Sequence, residues 1–241
     1  IFAASLKQIE AVNENYEVAV RTIILGAINS RRCAEENGFE SACFISSDKS
    51  RAATTLYGSM KFVAGESFIV NSHKSPVKLT TAIYGNVMNS TGSIIPLIWN
   101  SIDNNYQLKL YSSEMTRFML SIDEAIDVVE TAILSNVSGY NVIPIAKSFL
   151  IKDLFEIYAD EFGLKYITTV PRTSEKIHEI MISNEEVSRI TKMGFEKYFF
   201  MHHKQVFNEI KLKNNEYSSK DYLISKQELY EYLKKQNFYK P

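Results

Sequence analysis

The chain has 241 residues, 45% of them hydrophobic and 23% charged, an ordinary globular composition with ample apolar mass for a core. Its 27 basic and 28 acidic residues leave a net charge of −1, which argues against nucleic acid or an acidic membrane as a partner. No apolar run approaches the ~20 residues of a membrane span, so a cytoplasmic protein is expected.

The elements alternate. IFAA at the start reads as the end of a strand. A helix is predicted over 15–37, with Gly38 as its C-terminal stop. ACFIS, 42–46, is a short all-apolar strand of the kind buried on both faces of a parallel sheet. A helix over 56–71 follows, then the strand KLTTAIYG, 78–85. A helix over 94–101, a strand QLKLY, a long helix over 122–135 and a strand NVIPI, 141–145, come next. FLIKDLFEIYADEFG is an amphipathic helix ended by Gly163, KYITTV a strand, and QELYEYLKKQ, 227–236, a last helix. The stretch 208–221 is polar and predicted to be loop. Strands alternating with helices predict a parallel α/β sheet. Cys33 and Cys43 lie in apolar stretches and are expected as reduced core residues. No Cys/His cluster has zinc spacing, so no metal is predicted. The adjacent His202 and His203 suit a surface or connecting segment.

Parallel α/β sheets bind ligands at the carboxyl ends of their strands. Ser46, Ser47, Asp48 and Lys49 follow ACFI directly. Asn86 follows TTAIYG, and Ala4, Ser5 and Lys7 follow the first stub. Within SSDKSRAATTLYGSMK, 46–61, Tyr57 and Lys61 stand one helical turn apart and share a face. A lysine ammonium beside a phenol lowers its pKa, and such a phenol can take a proton from a sugar hydroxyl. Asp48-Lys49 offers a second acid/base pair. Taken alone, the first pair also reads as a surface tyrosine with a solvated lysine, and the second as a solvated turn capped by Asp48.

Six segments in order resemble one family. They are AASLKQIEA, SSDKSRAATTLYGSMK, YGNVMNSTGSIIPL (84–97), EMTRFMLSIDEA (114–125), PRTSEKIHEIMIS (171–183) and EYSSKDYLISKQEL (216–229). Together they resemble the extended short-chain dehydrogenase/reductases, and among these the nucleotide-sugar 4,6-dehydratases of polysaccharide biosynthesis, in particular those inverting UDP-N-acetylglucosamine. The resemblance implies an α/β fold with a Rossmann-type sheet and an interleaved smaller substrate domain. It assigns 1–90 and 114–147 to the cofactor domain, and 91–113 and 148–241 to the substrate domain. The cofactor it implies is NADP or NAD, the partner a UDP-sugar, and the assembly a homo-oligomer.

The resemblance also implies roles. Tyr57 and Lys61 serve the redox step, with Lys61 also on the nicotinamide ribose and Ala4 and Ser46 beside the cofactor. Ser47 hydrogen-bonds the sugar 4-hydroxyl. Asp48 is the acid for the departing 6-hydroxyl, and Lys49 the base for the carbon-5 proton. Lys7, Asn86, Ser93, Arg117, Arg172 and Glu175 hold the nucleotide diphosphate and uridine. Three positions depart from the family pattern. Ile83 stands where Arg is usual, Arg-Thr-Ser-Glu-Lys replaces Arg-Pro-Gly-Glu-Lys, and Ile23 replaces an Asn in the helix before the catalytic strand.

The family's opening strand, Gly-rich turn and helix N-terminus have no counterpart here. The chain opens on Ile1 where the family's fourth strand would end. It is therefore expected to be part of a longer protein, and on its own neither to hold NAD(P) tightly nor to stay monomeric. Two other readings stand beside dehydration: a UDP-sugar epimerase on the same fold, which needs Tyr57 and Lys61 but no elimination pair, and a cofactor-free binding protein.

Overall fold

The computed structural model describes residues 1–171, 175–191, 196–206 and 210–238. In chain order, α1 (Ile9–Glu14), α2 (Tyr16–Ala19), a π-helical turn (Val20–Leu25) and α3 (Gly26–Glu36) form one long helical run before β1 (Ser41–Ile45). Then come α4 (Leu56–Ile69), β2 (Lys78–Ala82), β3 (Asn86–Val87), α5 (Ile94–Asp103), β4 (Leu108–Leu110) and β5 (Thr116–Leu120). They are followed by α6 (Ile122–Leu134), β6 (Tyr140–Pro144), β7 (Ser148–Leu150), α7 (Ile151–Phe162), β8 (Tyr166–Thr168) and β9 (Ile180–Ile182). The last are β10 (Ile190–Thr191), β11 (Tyr198–His202), β12 (Tyr217–Ser218) and α8 (Lys226–Lys235). The chain divides into two compact units. One comprises Ile1–Tyr84, Ile126–Ile145 and Ile180–Tyr217, the other Gly85–Ala125, Ala146–Glu179 and Ser218–Pro241.

The first unit is built on a sheet of order β1-β2-β6-β11-β10. β1, β2 and β6 are parallel, as the alternation of strands with helices predicts, and Phe2 adds a single parallel bridge to Phe44. This is the expected α/β, Rossmann-type arrangement, with one correction. β11 and β10 run antiparallel, so the sheet is mixed rather than wholly parallel. The pairing of β11 with β6 places 180–217 in this unit, whereas the sequence reading kept 148–241 together.

Packing explains the helices. Thr55 caps α4 by accepting from the Gly58 amide at 3.1 Å. α3 ends at Asn37, and Gly38 takes the left-handed conformation that the stop signal predicts (φ 67°). The helical run begins six residues earlier than predicted, at Ile9. Its π turn carries Ile23 fully buried in a core with Val12, Phe44, Tyr57, Met60 and Leu79. The Ile at this unusual position is thus a core residue, and Ile83 is as well, also fully buried. Cys43 is buried and free, but Cys33 is exposed on α3, so it is not the core residue expected. Within the predicted loop 208–221, Tyr217 is fully buried and donates to the Pro144 carbonyl at 3.1 Å.

The second unit has a sheet of order β3-β5-β7 and a parallel pair β4-β8. Its core gathers Ile95 and Ile98 of α5, Leu154, Phe155 and Tyr158 of α7, and Leu229 and Leu233 of α8. These are the apolar stripes of amphipathic helices. Gly163, at φ 71°, ends α7 as predicted.

Candidate active site

In the first unit the chain leaves β1 without leaving the sheet's rim. Ser46 donates its amide to the Ala82 carbonyl at 2.8 Å, and Asp48 donates to the Tyr84 carbonyl at 3.1 Å. Asp48–Ser50 then close a 3-10 turn that Ser47 caps, its Oγ accepting from the Lys49 amide at 3.3 Å. Asp48 is fully buried. Its Oδ1 accepts from Ser47 Oγ at 2.8 Å, from the Lys49 amide at 2.8 Å and from Lys49 Nζ at 3.4 Å. Its Oδ2 is buried without a protein partner, and so is Ser46 Oγ. Buried polar atoms of this kind are rare and call for a ligand or water.

α4 starts six residues after the end of this turn. Gly58 allows it to approach closely, because a Cβ there would collide with the Lys49 carbonyl oxygen and lie 3.2 Å from Ala53 Cβ. The approach brings Tyr57 near the turn, close enough for the charges of Lys49 and Asp48 to act on its phenol. Burial raises the phenol above its ordinary value. Lys49 pulls it down, Asp48 pushes it up, and a hydrogen bond with Ser5 lowers it. Lys61, one turn on, is almost fully buried. Its Nζ donates to the Ile45 carbonyl at 2.8 Å and lies 4.8 Å from the centre of the Phe44 ring. Burial pulls its ammonium down to about 8. The sequence expectation that Lys61 lowers the phenol is therefore corrected. Burial dominates, and the lysine pulling Tyr57 down is Lys49.

The structure thus brings together Ser46, Ser47, Asp48, Lys49, Tyr57 and Lys61 in one unit. Ala4 and Lys7, after the first stub, are exposed. In the second unit, Arg117 on β5 is largely buried. Its Nη2 donates to Glu175 Oε1 at 2.6 Å, its Nη1 donates to the Thr116 carbonyl at 2.8 Å, and its Nε lies 3.5 Å from Glu179 Oε1. Asn86 on β3 and Ser93 at the start of α5 each hold a buried side-chain oxygen without a protein partner. Arg172 lies outside the described residues.

Sequence reasoning missed three contributors. Ser5 was noticed on the rim but not as a partner of Tyr57. Gly58 and Arg51 were not singled out. A glycine inside the first turn of a helix is a readable sign of close backbone approach. Among the described residues, no group of His, Cys, Asp or Glu could hold a metal ion, and no helix is long and apolar enough to cross a membrane.

Comparison with known proteins places this geometry in context. The chain matches the model of the family described as "Polysaccharide biosynthesis protein" over residues 1–203. It is 31% identical over 203 residues to a UDP-N-acetylglucosamine 4,6-dehydratase (inverting) of Campylobacter jejuni, covering 83% of this chain and 60% of that protein. It is 30% identical over 201 residues to a UDP-glucose 4-epimerase of Rickettsia felis, covering 80% of this chain and 58% of that one. The crystal structure of Pen from Bacillus thuringiensis superposes with a TM-score of 0.86 at 25% identity, covering 98% of this chain and 75% of that chain. The chain spans about 60% of the length of these curated relatives.

Proposed function

Because the chain belongs to the polysaccharide biosynthesis protein family, we propose that it carries the catalytic residues of a nucleotide-sugar 4,6-dehydratase acting on a UDP-sugar, UDP-N-acetylglucosamine foremost. One observation carries this reading. A buried carboxylate and a lysine, Asp48 and Lys49, form a 3.4 Å ion pair whose two charges both act on the Tyr57 phenol. Elimination of water needs an acid and a base beyond the tyrosine that oxidation requires.

Each residue then has a task. Tyr57 takes the proton of the sugar 4-hydroxyl, which Ser47 orients. Lys49 takes the carbon-5 proton through Nζ, after its own proton has passed to Asp48 and left the amine neutral. Asp48 holds at Oδ2, the oxygen free of protein partners, the proton that leaves with the 6-oxygen. The unpartnered Ser46 Oγ, with Tyr57 and Lys61, fits a nicotinamide dinucleotide, NAD or NADP, beside β1. Such a cofactor would supply the hydride acceptor and donor. In the second unit, Arg117 suits a diphosphate because its fork of donors matches phosphate oxygens, and Asn86 and Ser93 offer unpartnered groups to the nucleotide.

The relative that acts as an epimerase favours a second reading, inversion at carbon 4. One experiment separates the two. The protein is incubated with UDP-N-acetylglucosamine and cofactor in deuterated water. Dehydration gives a product lighter by one water, with deuterium at carbon 5, and Lys49→Met abolishes both. A carbon-4 epimer without label supports the second reading. An unsubstituted protein that holds the cofactor yet yields neither product overturns the proposal.

A further inference from the structure

Two residues beyond Lys49 lies Arg51, an arginine only 2% exposed. Its Nη1 donates to Glu186 Oε1 at 2.6 Å and to Glu66 Oε1 at 3.4 Å, and its Nη2 donates to Asn141 Oδ1 at 3.2 Å. Its guanidinium also lies 5.5 Å from the centre of the Phe62 ring. One side chain therefore ties the turn after β1 to α4, to β6 and to the 3-10 helix Asn184–Arg189. The anchors are themselves fixed. Glu186 accepts from the Ser183 amide at 3.1 Å, and Arg189 bridges Glu186 at 3.4 Å and Glu66 at 3.2 Å. Arg189 in turn donates to the His202 carbonyl at 2.8 Å. Immediately after Arg51, Ala52 adopts a left-handed φ of 44°, a conformation an alanine holds only where its surroundings impose it.

We infer that Arg51 is a positioning residue that fixes the Asp48–Lys49 turn for the elimination step, an inference that rests on the dehydratase reading. The turn's own hydrogen bonds are local, Arg51 to Asp48 and Ser50 to Ser47, and set its shape. Beyond the two rim bonds and the close approach of Gly58, the guanidinium ties the turn to three further elements. A lysine would keep the charge but could not span a carboxylate and an amide in the fork geometry. Removing Arg51 leaves neither carboxylate stranded, because Arg189 still pairs with both Glu66 and Glu186. Loss of the arginine should therefore loosen the turn without unfolding the unit. The space it vacates adjoins a cavity of about 440 Å³ lined by Ala52, Phe62, Val63, Glu186 and Arg189, wide enough to admit a small guanidinium ion.

The test has two arms. In the first, amide hydrogen exchange is measured on Arg51→Ala and Arg51→Lys. Exchange over 47–52 should rise about tenfold in Arg51→Ala while β1 and β2 keep their protection. Unchanged exchange at 47–52 overturns the inference whatever the enzyme does, and so does loss of protection throughout the sheet in Arg51→Lys. In the second arm, turnover in the deuterium assay should fall about 100-fold with KM within about twofold, as for a misplaced reacting group. Added ethylguanidinium should restore turnover in Arg51→Ala. Normal turnover in Arg51→Ala, or a fall that ethylguanidinium does not relieve, also overturns it. If the unsubstituted protein holds the cofactor but makes no product, the dehydratase reading fails, and the exchange arm still decides whether Arg51 holds the turn.

Discussion

The carbonyl oxygen of Lys49 fills the space that a side chain on Gly58 would occupy. The obstacle is backbone, so it cannot rotate aside. Gly58→Ala should push the Asp48–Lys49 turn away from α4 and cost about 1–3 kcal/mol as an overpacked contact. Chemical unfolding should show the loss of stability. Turnover should fall further than stability, because the turn carries the proposed acid and base. A variant with unchanged stability and turnover would show that the turn shifts freely.

Tyr57 separates fold from chemistry. Its ring is buried in the core with Ile23 and Met60, and Phe fills the same volume. Tyr57→Phe should keep the thermal midpoint close to that of the parent and still bind UDP-sugar. Turnover should drop ~10²–10⁴-fold, the usual contribution of a general base. Near-parental turnover would remove Tyr57 from the proposed mechanism.

Lys61 gives stability a defined pH dependence. Its pKa falls from 10.5 to about 8 on burial. Between those values the unfolded chain binds more protons than the folded one, so this group makes stability rise with pH. Below pH 8 the ammonium is charged in both states and the whole cost of burying it stands, on the order of 3 kcal/mol. Lys61→Met should abolish the rise between about pH 8 and 10.5. At pH 7 the relief should offset the loss of the bond to the Ile45 carbonyl. Urea titrations at pH 7, 8.5 and 10 read both effects, and an equal slope in the variant would assign the dependence to another group.

Arg117 tests the nucleotide grip. Its fork already engages Glu175 and the Thr116 carbonyl. Charge-assisted hydrogen bonds are worth about 1.5–3 kcal/mol each, so Arg117→Met should weaken UDP binding about tenfold to hundredfold. Calorimetric titration with UDP, alongside circular dichroism to check the fold, measures this. Unchanged affinity would leave Arg117 as a structural ion pair linking β5 to Glu175 and Glu179.

Much of this was legible in the sequence where local chemistry dictates local structure. ACFI is short, apolar and bounded by turns, TTA is rich in β-branched threonine, and both lie in parallel strands. The chain's left-handed glycines at 38 and 163 sit where the periodic segments stop. The Ser-Ser-Asp-Lys and Tyr-x-x-x-Lys segments sit on a strand end and a helix start, as predicted. What escaped depends on distant partners. TRFML pairs with β3 and β7, and YFFMH with β6 and β10. The run Ile9–Glu36 hid its start because a π turn shifts the apolar stripe partway along it. The phenol's direction was misread because sequence shows the neighbouring lysine but not the depth of burial. Arg51 escaped because its partners lie at positions 66, 141 and 186, remote in sequence.

The first unit is assembled from three separate lengths of chain, the last ending at Tyr217. The stretches 85–125 and 146–179 must therefore be looped out while the sheet forms, and closing such loops costs entropy before any pairing rewards it. During synthesis β6 would emerge with one side unpaired and stay so until β11, more than fifty residues later, arrived to cover it. Until then Val142 and Ile143, fully buried in the finished fold, would present an open strand to other nascent chains. A stop anywhere before Tyr198 would make that interval permanent. The antiparallel pair at the end of the sheet thus acts as its closing seal, and the chain's yield on folding should depend on how quickly that seal forms.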